Sequence, residues 1–318
     1  VPREEAEALS IHKYRVTKSS MLLETFDVEA ASEQEAIRLC EGKPGALVSQ
    51  NAAWSAVVTQ QGWVARTLPD GFGVYLRRIG SSGDSPEDVA DRCVKAGMLW
   101  ASFMVESNDG YVVSPSTTAA WANVFRDRGL LVGVWSFPGD ERAASVEQSS
   151  SAAQLLTDVA SQISADTVML NVEAPFKNRP AQLRALIDST LNSVPASALQ
   201  AVGVVSYPVP SMHPDLDFSQ FSKLDYASPM FYKTAQDPAL VERGMNEWAV
   251  ILKTIAPTLD GWSGSGASGA TRFAQDISTV CGPGPARVPG AVIWSEAQMD
   301  TAKREVTRER AALYGWTG

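Results

Sequence analysis

The sequence predicts an α/β protein in which a small β-β-α module precedes an eightfold alternation of strand and helix. Three observations carry that reading. From Phe72 onward, apolar runs of five to eight residues alternate with amphipathic stretches of ten to eighteen. The runs are near-continuous rather than alternating in polarity, the mark of parallel strands covered on both faces. Eight such units fill roughly 250 residues, the size of a TIM-type (β/α)8 barrel. The competing architecture, a doubly wound open sheet, usually carries GxGxxG after its first strand, and no such run stands there.

In chain order, "HKYRVTKSSMLLETFDVEAASEQEAIRLCEG" reads as strands over about 12–17 and 22–29, then a helix that Ser32 caps ahead of Ala36, Ile37 and Cys40. This module and its linker occupy residues 1–60, and the barrel occupies 61–318. The module offers no candidate catalytic acid, nucleophile or ligand cluster, so it reads as a packing or docking piece for a protein partner. The eight barrel strands are "FGVYLRRI", "MLWASFMV", "LLVGVWSF", "TVMLNVE", "AVGVVSY", "YASPMFY", "APTLDGW" and "GAVIWSE". Helices are expected near 85–97, 115–128, 148–163, 179–193, 238–254, 270–280 and 299–313. The fifth connection, "PVPSMHPDLDFSQFSK", is short and irregular.

Bulk composition narrows the function. The 318 residues carry 27 Lys and Arg against 36 Asp and Glu, and a net charge of -9 opposes binding to nucleic acid or to an anionic membrane. No apolar stretch approaches the roughly 20 residues needed to cross a bilayer, so no membrane insertion is expected. Cys40, Cys93 and Cys281 are scattered and odd in number, and with only two histidines the chain offers neither a zinc site nor a disulfide framework. No cofactor is expected. The opening "VPREEAEALS" is charged, so no secretory signal is read there.

In a barrel of this kind, chemistry belongs at the C-terminal ends of the strands. Those ends supply Arg77 and Arg78, Glu106, Trp135, Asn171 and Glu173, Tyr207, Met230 and Tyr232, Asp260 and Trp262, and Trp294 and Glu296. Aromatic faces stack on sugar rings and carboxyl groups protonate glycosidic oxygens, so the mixture suits a carbohydrate better than a phosphate or a nicotinamide. In "VMLNVEAPF", alternation points Asn171 and Glu173 the same way, toward the mouth. The plainer alternative for Glu173 is an ion pair with Lys177 or Arg179.

These segments resemble the chitinase-like glycoside hydrolases of family 18. "VMLNVEAPF" is similar to that family's fourth-strand Asp-x-Asp-x-Glu, "SPMFY" to its sixth-strand Met-x-Tyr, and "GAVIWSEAQMD" to its eighth-strand Gly-Val-Met-x-Trp-Ser. The resemblance implies Glu173 as general acid, Tyr232 as partner of a substrate N-acetyl group, and Trp294 as stacking platform. The pattern departs at Asn171, where the family has Asp; at "VGVWSFPGD", which lacks Ser-x-Gly-Gly; and at Lys233, where Asp or Asn is common. An amide can orient an acetamido group but cannot take a proton. Lysozyme-like family 25 barrels also resemble this arrangement at the fourth strand, but they need an Asp ending the first, where Arg77 and Arg78 stand.

Hydrolysis with a protein nucleophile or base needs a second carboxyl group roughly 5–9 Å from the first. Glu106, Asp260 and Glu296 are the candidates; Glu296 alternatively serves the N-terminal turn of the last helix. Failing these, the resemblance implies the substrate's own acetamido oxygen. Two readings follow. One is a hydrolase of chitin- or peptidoglycan-type glycan in which Trp135, Trp262, Tyr207 and Met230 help line the cleft. The other is an inactive glycan-binding or structural component of a larger assembly, such as a phage virion. By analogy with cell-wall hydrolases the expected setting is extracellular or virion-associated. Two further motifs carry less. "DGWSGSGASGATRF" offers backbone N–H groups and Arg272 to a phosphate but lacks the P-loop ending, and His213, between prolines, reads as surface.

Overall fold

The computed structural model describes residues 12–18, 24–30, 54–58, 71–80, 83–194, 201–261, 264–282 and 288–316, those before 71 by backbone alone. The chain divides into two compact units, one of residues 1–66 with 196–199 and 318, the other of 67–195 with 200–317. In the first, strands β1 (His12–Lys18), β2 (Glu24–Ala30) and β3 (Trp54–Val58) form an antiparallel sheet ordered β2-β1-β3. The third strand was not anticipated from the sequence. The expected helix after Ser32 lies outside the described residues.

The second unit is a barrel of eight parallel strands, β4 (Gly71–Leu76), β5 (Met98–Glu106), β6 (Leu131–Ser136), β7 (Thr167–Asn171), β8 (Ala201–Ser206), β9 (Tyr226–Pro229), β10 (Thr258–Asp260) and β11 (Gly290–Trp294). Continuous ladders run from β10 through β11 and β4 to β9. Closure between β9 and β10 rests on isolated parallel bridges, Ala227 to Ile255 and Met230 to Thr258. This is the TIM-type (β/α)8 architecture that the sequence predicts.

Among the described residues, seven helices cover the outside: α1 (Pro86–Lys95), α2 (Pro115–Asp127), α3 (Val146–Gln162), α4 (Pro180–Ser193), α5 (Pro238–Ile251), α6 (Gly266–Cys281) and α7 (Thr301–Tyr314). Local chemistry starts them where they start. Proline, whose missing N–H costs nothing in a first turn, opens α1, α2, α4 and α5. Ser85, Ser114, Ser145, Asp237 and Asp300 cap five of the seven by accepting backbone N–H bonds, each worth about 1 kcal/mol. The irregular fifth connection holds two short 3-10 helices, Pro210–Met212 and Phe218–Lys223.

The strands are buried because each is covered twice. One face packs on the helices through residues such as Val74, Phe103, Val134, Leu170 and Ile293. The other fills the barrel with a second cluster that includes Tyr75, Trp100, Met104, Trp135, Met169 and Tyr226. Large rings fit because the neighbouring strand is bare. A Cβ on Gly73 would come within 1.9 Å of the Trp100 ring, and one on Gly203 within 2.3 Å of the Tyr226 ring.

Candidate active site at the barrel mouth

The interior cluster ends, toward the C-terminal ends of the strands, in partly buried Tyr111, Phe137, Tyr232 and Trp294. Trp294, the last residue of β11, lies 5.7 Å from the Tyr75 ring and edge-on to Trp135 at 5.2 Å. Such pairs contribute about 0.5–1.5 kcal/mol beyond area burial and fix ring orientation. The peptide bond from Trp294 to Ser295 is cis. Trp135 and Met230 are buried and form the floor below these rings rather than the rim.

Glu173 follows the last residue of β7 by two positions, at the entrance to a 3-10 helix over Ala174–Phe176. It is half-buried and accepts a hydrogen bond from the Asn171 amide; burial outweighs that bond and holds its carboxyl above the ordinary carboxylate range. The cations that compete for it in sequence are engaged elsewhere. Lys177 pairs with Asp215 at 3.2 Å, and Arg179 with Asp140 at 3.3 Å. Asn171 itself is buried with its Oδ1 unpartnered, and so is the Trp135 indole nitrogen.

Two tyrosines complete the surroundings. Burial raises the Tyr232 hydroxyl well above its ordinary value, reinforced by the charges of Tyr75, Glu173 and Asp260, so Tyr232 sits within electrostatic reach of both carboxyl groups. Asp260, partly buried at the end of β10, is a second acidic residue of this mouth. Tyr207 stacks on His213 with ring centroids 3.6 Å apart and carries Lys177 over its face at 5.1 Å. Burial first, then the Glu173 and Asp215 charges, raises the Tyr207 hydroxyl. His213 is thus part of a packed aromatic and cationic cluster rather than plain surface.

The remaining acidic candidates are paired to arginines. Glu296 lies beyond Trp294, the last residue of β11, and opens a 3-10 helix that turns it toward arginines of two helices. Its buried carboxylate accepts from Arg92 of α1 at 2.8 Å and from Arg304 of α7 at 2.8 Å. That corrects Glu296 from a glycan-facing group to an ion-paired link between strand and helices. Glu106 is buried against Arg142 at 2.5 Å; the register shift between Met104 and Glu106 pairs Glu106 with Ser136. Trp262 lies outside the described residues. In the glycine-rich segment, the N–H of Gly266 donates to the Asp300 carboxylate at 2.9 Å, so an internal anion uses it. Arg272 lines a depression of about 650 Å3 on the outer wall beside α6, and Thr271, Gln275 and Thr279 line both it and a second of about 510 Å3.

Sequence reasoning passed over Tyr75, Tyr111 and Phe137. Tyr75 and Phe137 were open to detection by alternation, since they stand two residues from the strand-end residues Arg77 and Trp135. Tyr111 comes from a hairpin after β5, in which Ser107 and Tyr111 pair through their backbones, and no apolar period announces it.

With that geometry in view, similar proteins are informative about the scaffold. No family model matches the sequence, and no curated protein matches it. Among solved structures, a GH18 chitinase from Pseudoalteromonas aurantia superposes with a TM-score of 0.56 at 12% identity, over 76% of this chain and 100% of its own. The Bacillus cereus spore cortex-lytic enzyme SleL gives 0.55 at 10% identity, over 76% of this chain and 74% of its own. The xylanase and α-amylase inhibitor protein XAIP-II from Scadoxus multiflorus gives 0.53 at 13%, over 76% and 98%. The fold is that of the family 18 barrels. At such identities the likeness extends to the scaffold alone, and the chemistry of this barrel has to be argued from its own side chains.

Proposed function

We propose that the mouth binds an N-acetylated glycan of the chitin or peptidoglycan type and that Glu173 protonates the glycosidic oxygen. The observation that carries the reading is the state of Glu173: a half-buried carboxyl group, raised by desolvation, beside an aromatic rim, with its sequence-neighbouring cations paired to other acids. A raised carboxyl keeps its proton toward neutral pH, the condition for a general acid. Trp294 supplies a face for a sugar ring. The unpartnered Oδ1 of Asn171 is an acceptor for an acetamido N–H, and the Tyr232 hydroxyl is a donor for its carbonyl. Glu106 and Glu296 are committed to arginines, which leaves Asp260 as the protein's own candidate for the second carboxyl group, while the resemblance to family 18 implies the acetamido oxygen of the substrate as nucleophile.

The experiment is release of chromophore from a β-linked N-acetylglucosamine oligomer, or of soluble fragments from cell walls, by the wild type and by Glu173→Gln. Loss of about 10²- to 10⁴-fold is expected in the variant. In the wild type, release falls as pH rises through the raised carboxyl. A second reading has its own observation, the amide at 171, which cannot cycle a proton with Glu173. On that reading the barrel holds glycan without turnover, and both proteins retain oligomer on a binding assay while neither releases product.

A further inference from the structure

Arg77 and Arg78 directly follow Leu76, the last residue of the first barrel strand, and neither the acid nor the aromatic platform uses them. Arg77 stands two residues beyond Tyr75, whose ring lies 5.7 Å from Trp294. Arg78 lies over the Tyr111 ring at 5.6 Å, and Tyr111 packs on the aromatic cluster of the mouth. The pair is built into place rather than loose. Arg78 has φ 56°, a left-handed conformation that an arginine adopts only where its surroundings compensate. Its guanidinium reaches Asp109, and the Asp109 carboxylate also accepts from the Ser107 hydroxyl and from the Tyr111 N–H. Tyr111 in turn donates to the Ile79 carbonyl at 3.3 Å.

Arg77 is held less tightly. It approaches the same Asp109 oxygen at 3.6 Å, outside hydrogen-bonding range, and its side chain is 46% exposed. A planar guanidinium in that position, with donors not used by Asp109, matches a carboxylate in two-point geometry. It does so on a protein of net charge -9, where a general attraction for acidic ligands is absent. We infer that Arg77 forms an anion subsite on the rim of the mouth and that the cleft selects N-acetylated glycans bearing a carboxylate over neutral ones.

This inference rests on the glycan reading of the mouth, and one titration separates the two. The intact protein is titrated calorimetrically with two tetrasaccharides of equal length. One contains only N-acetylglucosamine; in the other, alternate sugars carry a lactyl ether and its carboxylate. At low salt the acidic tetramer is expected to bind about tenfold more tightly, and the advantage shrinks in 0.5 M salt. Arg77→Gln removes the preference and leaves affinity for the neutral tetramer unchanged, while Arg77→Lys keeps part of it. Equal binding of the two tetramers, or a preference that survives Arg77→Gln, overturns the subsite and leaves the glycan reading standing. Binding of neither tetramer overturns both.

Discussion

Glu173 and Glu296 occupy equivalent places in the chain, each two residues past the end of a barrel strand, yet their surroundings differ. Glu173 stays among rings and an amide, where desolvation raises its carboxyl. Glu296 lies between two guanidiniums, Arg92 and Arg304, from helices at opposite ends of the barrel sequence. Residue type and distance from the strand do not separate the two. What separates them is the turn after the strand, which determines whether the side chain meets the mouth or the layer between sheet and helices. A carboxyl group without a cation is suited to chemistry, whereas one with two cations is suited to holding elements together.

The largest effect expected from that difference is on stability. Glu296→Ala leaves two partly buried arginines facing each other, and the cost of breaking a buried pair from one side is about 3–5 kcal/mol. Urea unfolding of this variant is expected to show a much lower midpoint, whereas Glu173→Gln unfolds at or above the wild-type midpoint. A small loss in Glu296→Ala would mean that the arginines find other partners, and the contrast between the two carboxylates would weaken.

A smaller change tests the mouth itself. Asn171→Asp places a second buried carboxylate against Glu173, and like charges at that distance push one pKa further up. Because the new group loses an amide that donates to Glu173, the variant is expected to be about 1–3 kcal/mol less stable at pH 7. The deficit narrows toward pH 4, where the pair holds protons. The same substitution supplies the proton-cycling partner that the sequence lacks, so on the hydrolase reading its release rate exceeds that of the wild type at mildly acidic pH. Equal stability at both pH values would place Asn171 further from Glu173 than their hydrogen bond implies.

Much of the scaffold was readable because its signals are local. Strand runs such as "TVMLN" and helix starts such as Ser85-Pro86 and Asp237-Pro238 declare themselves within a few residues. The pairing of Glu296 does not, since Arg92 is 204 residues away in sequence. Nor do the gaps opposite Trp100 and Tyr226, since Gly73 and Gly203 look like weak strand positions until the partner ring is seen across the ladder. In the candidate site, alternation correctly put Asn171 and Glu173 together, as their hydrogen bond shows. It overreached at Glu296, where the turn after the strand carries the carboxylate to Arg92 and Arg304, and it had no purchase on Tyr111, which a hairpin delivers.

The smallest expected effect sharpens the comparison most directly, because it reads the Glu173 environment without any substrate. Below the ordinary carboxyl value, near 4.3 for Glu, folded and unfolded chains both carry the proton and its burial costs nothing. As pH rises past that value the unfolded chain releases its proton first, while the folded one keeps it to a higher pH because burial disfavours the anion. Stability therefore declines across the window between the two values and stays lower above it. Glutamine has no proton to lose and retains the hydrogen bond from Asn171. Melting curves of the wild type and Glu173→Gln should coincide near pH 3 and separate by pH 7, with the variant the more stable. Curves that cross in the other sense would mean that a cation reaches this carboxylate in solution, and the general-acid assignment would lose its physical basis.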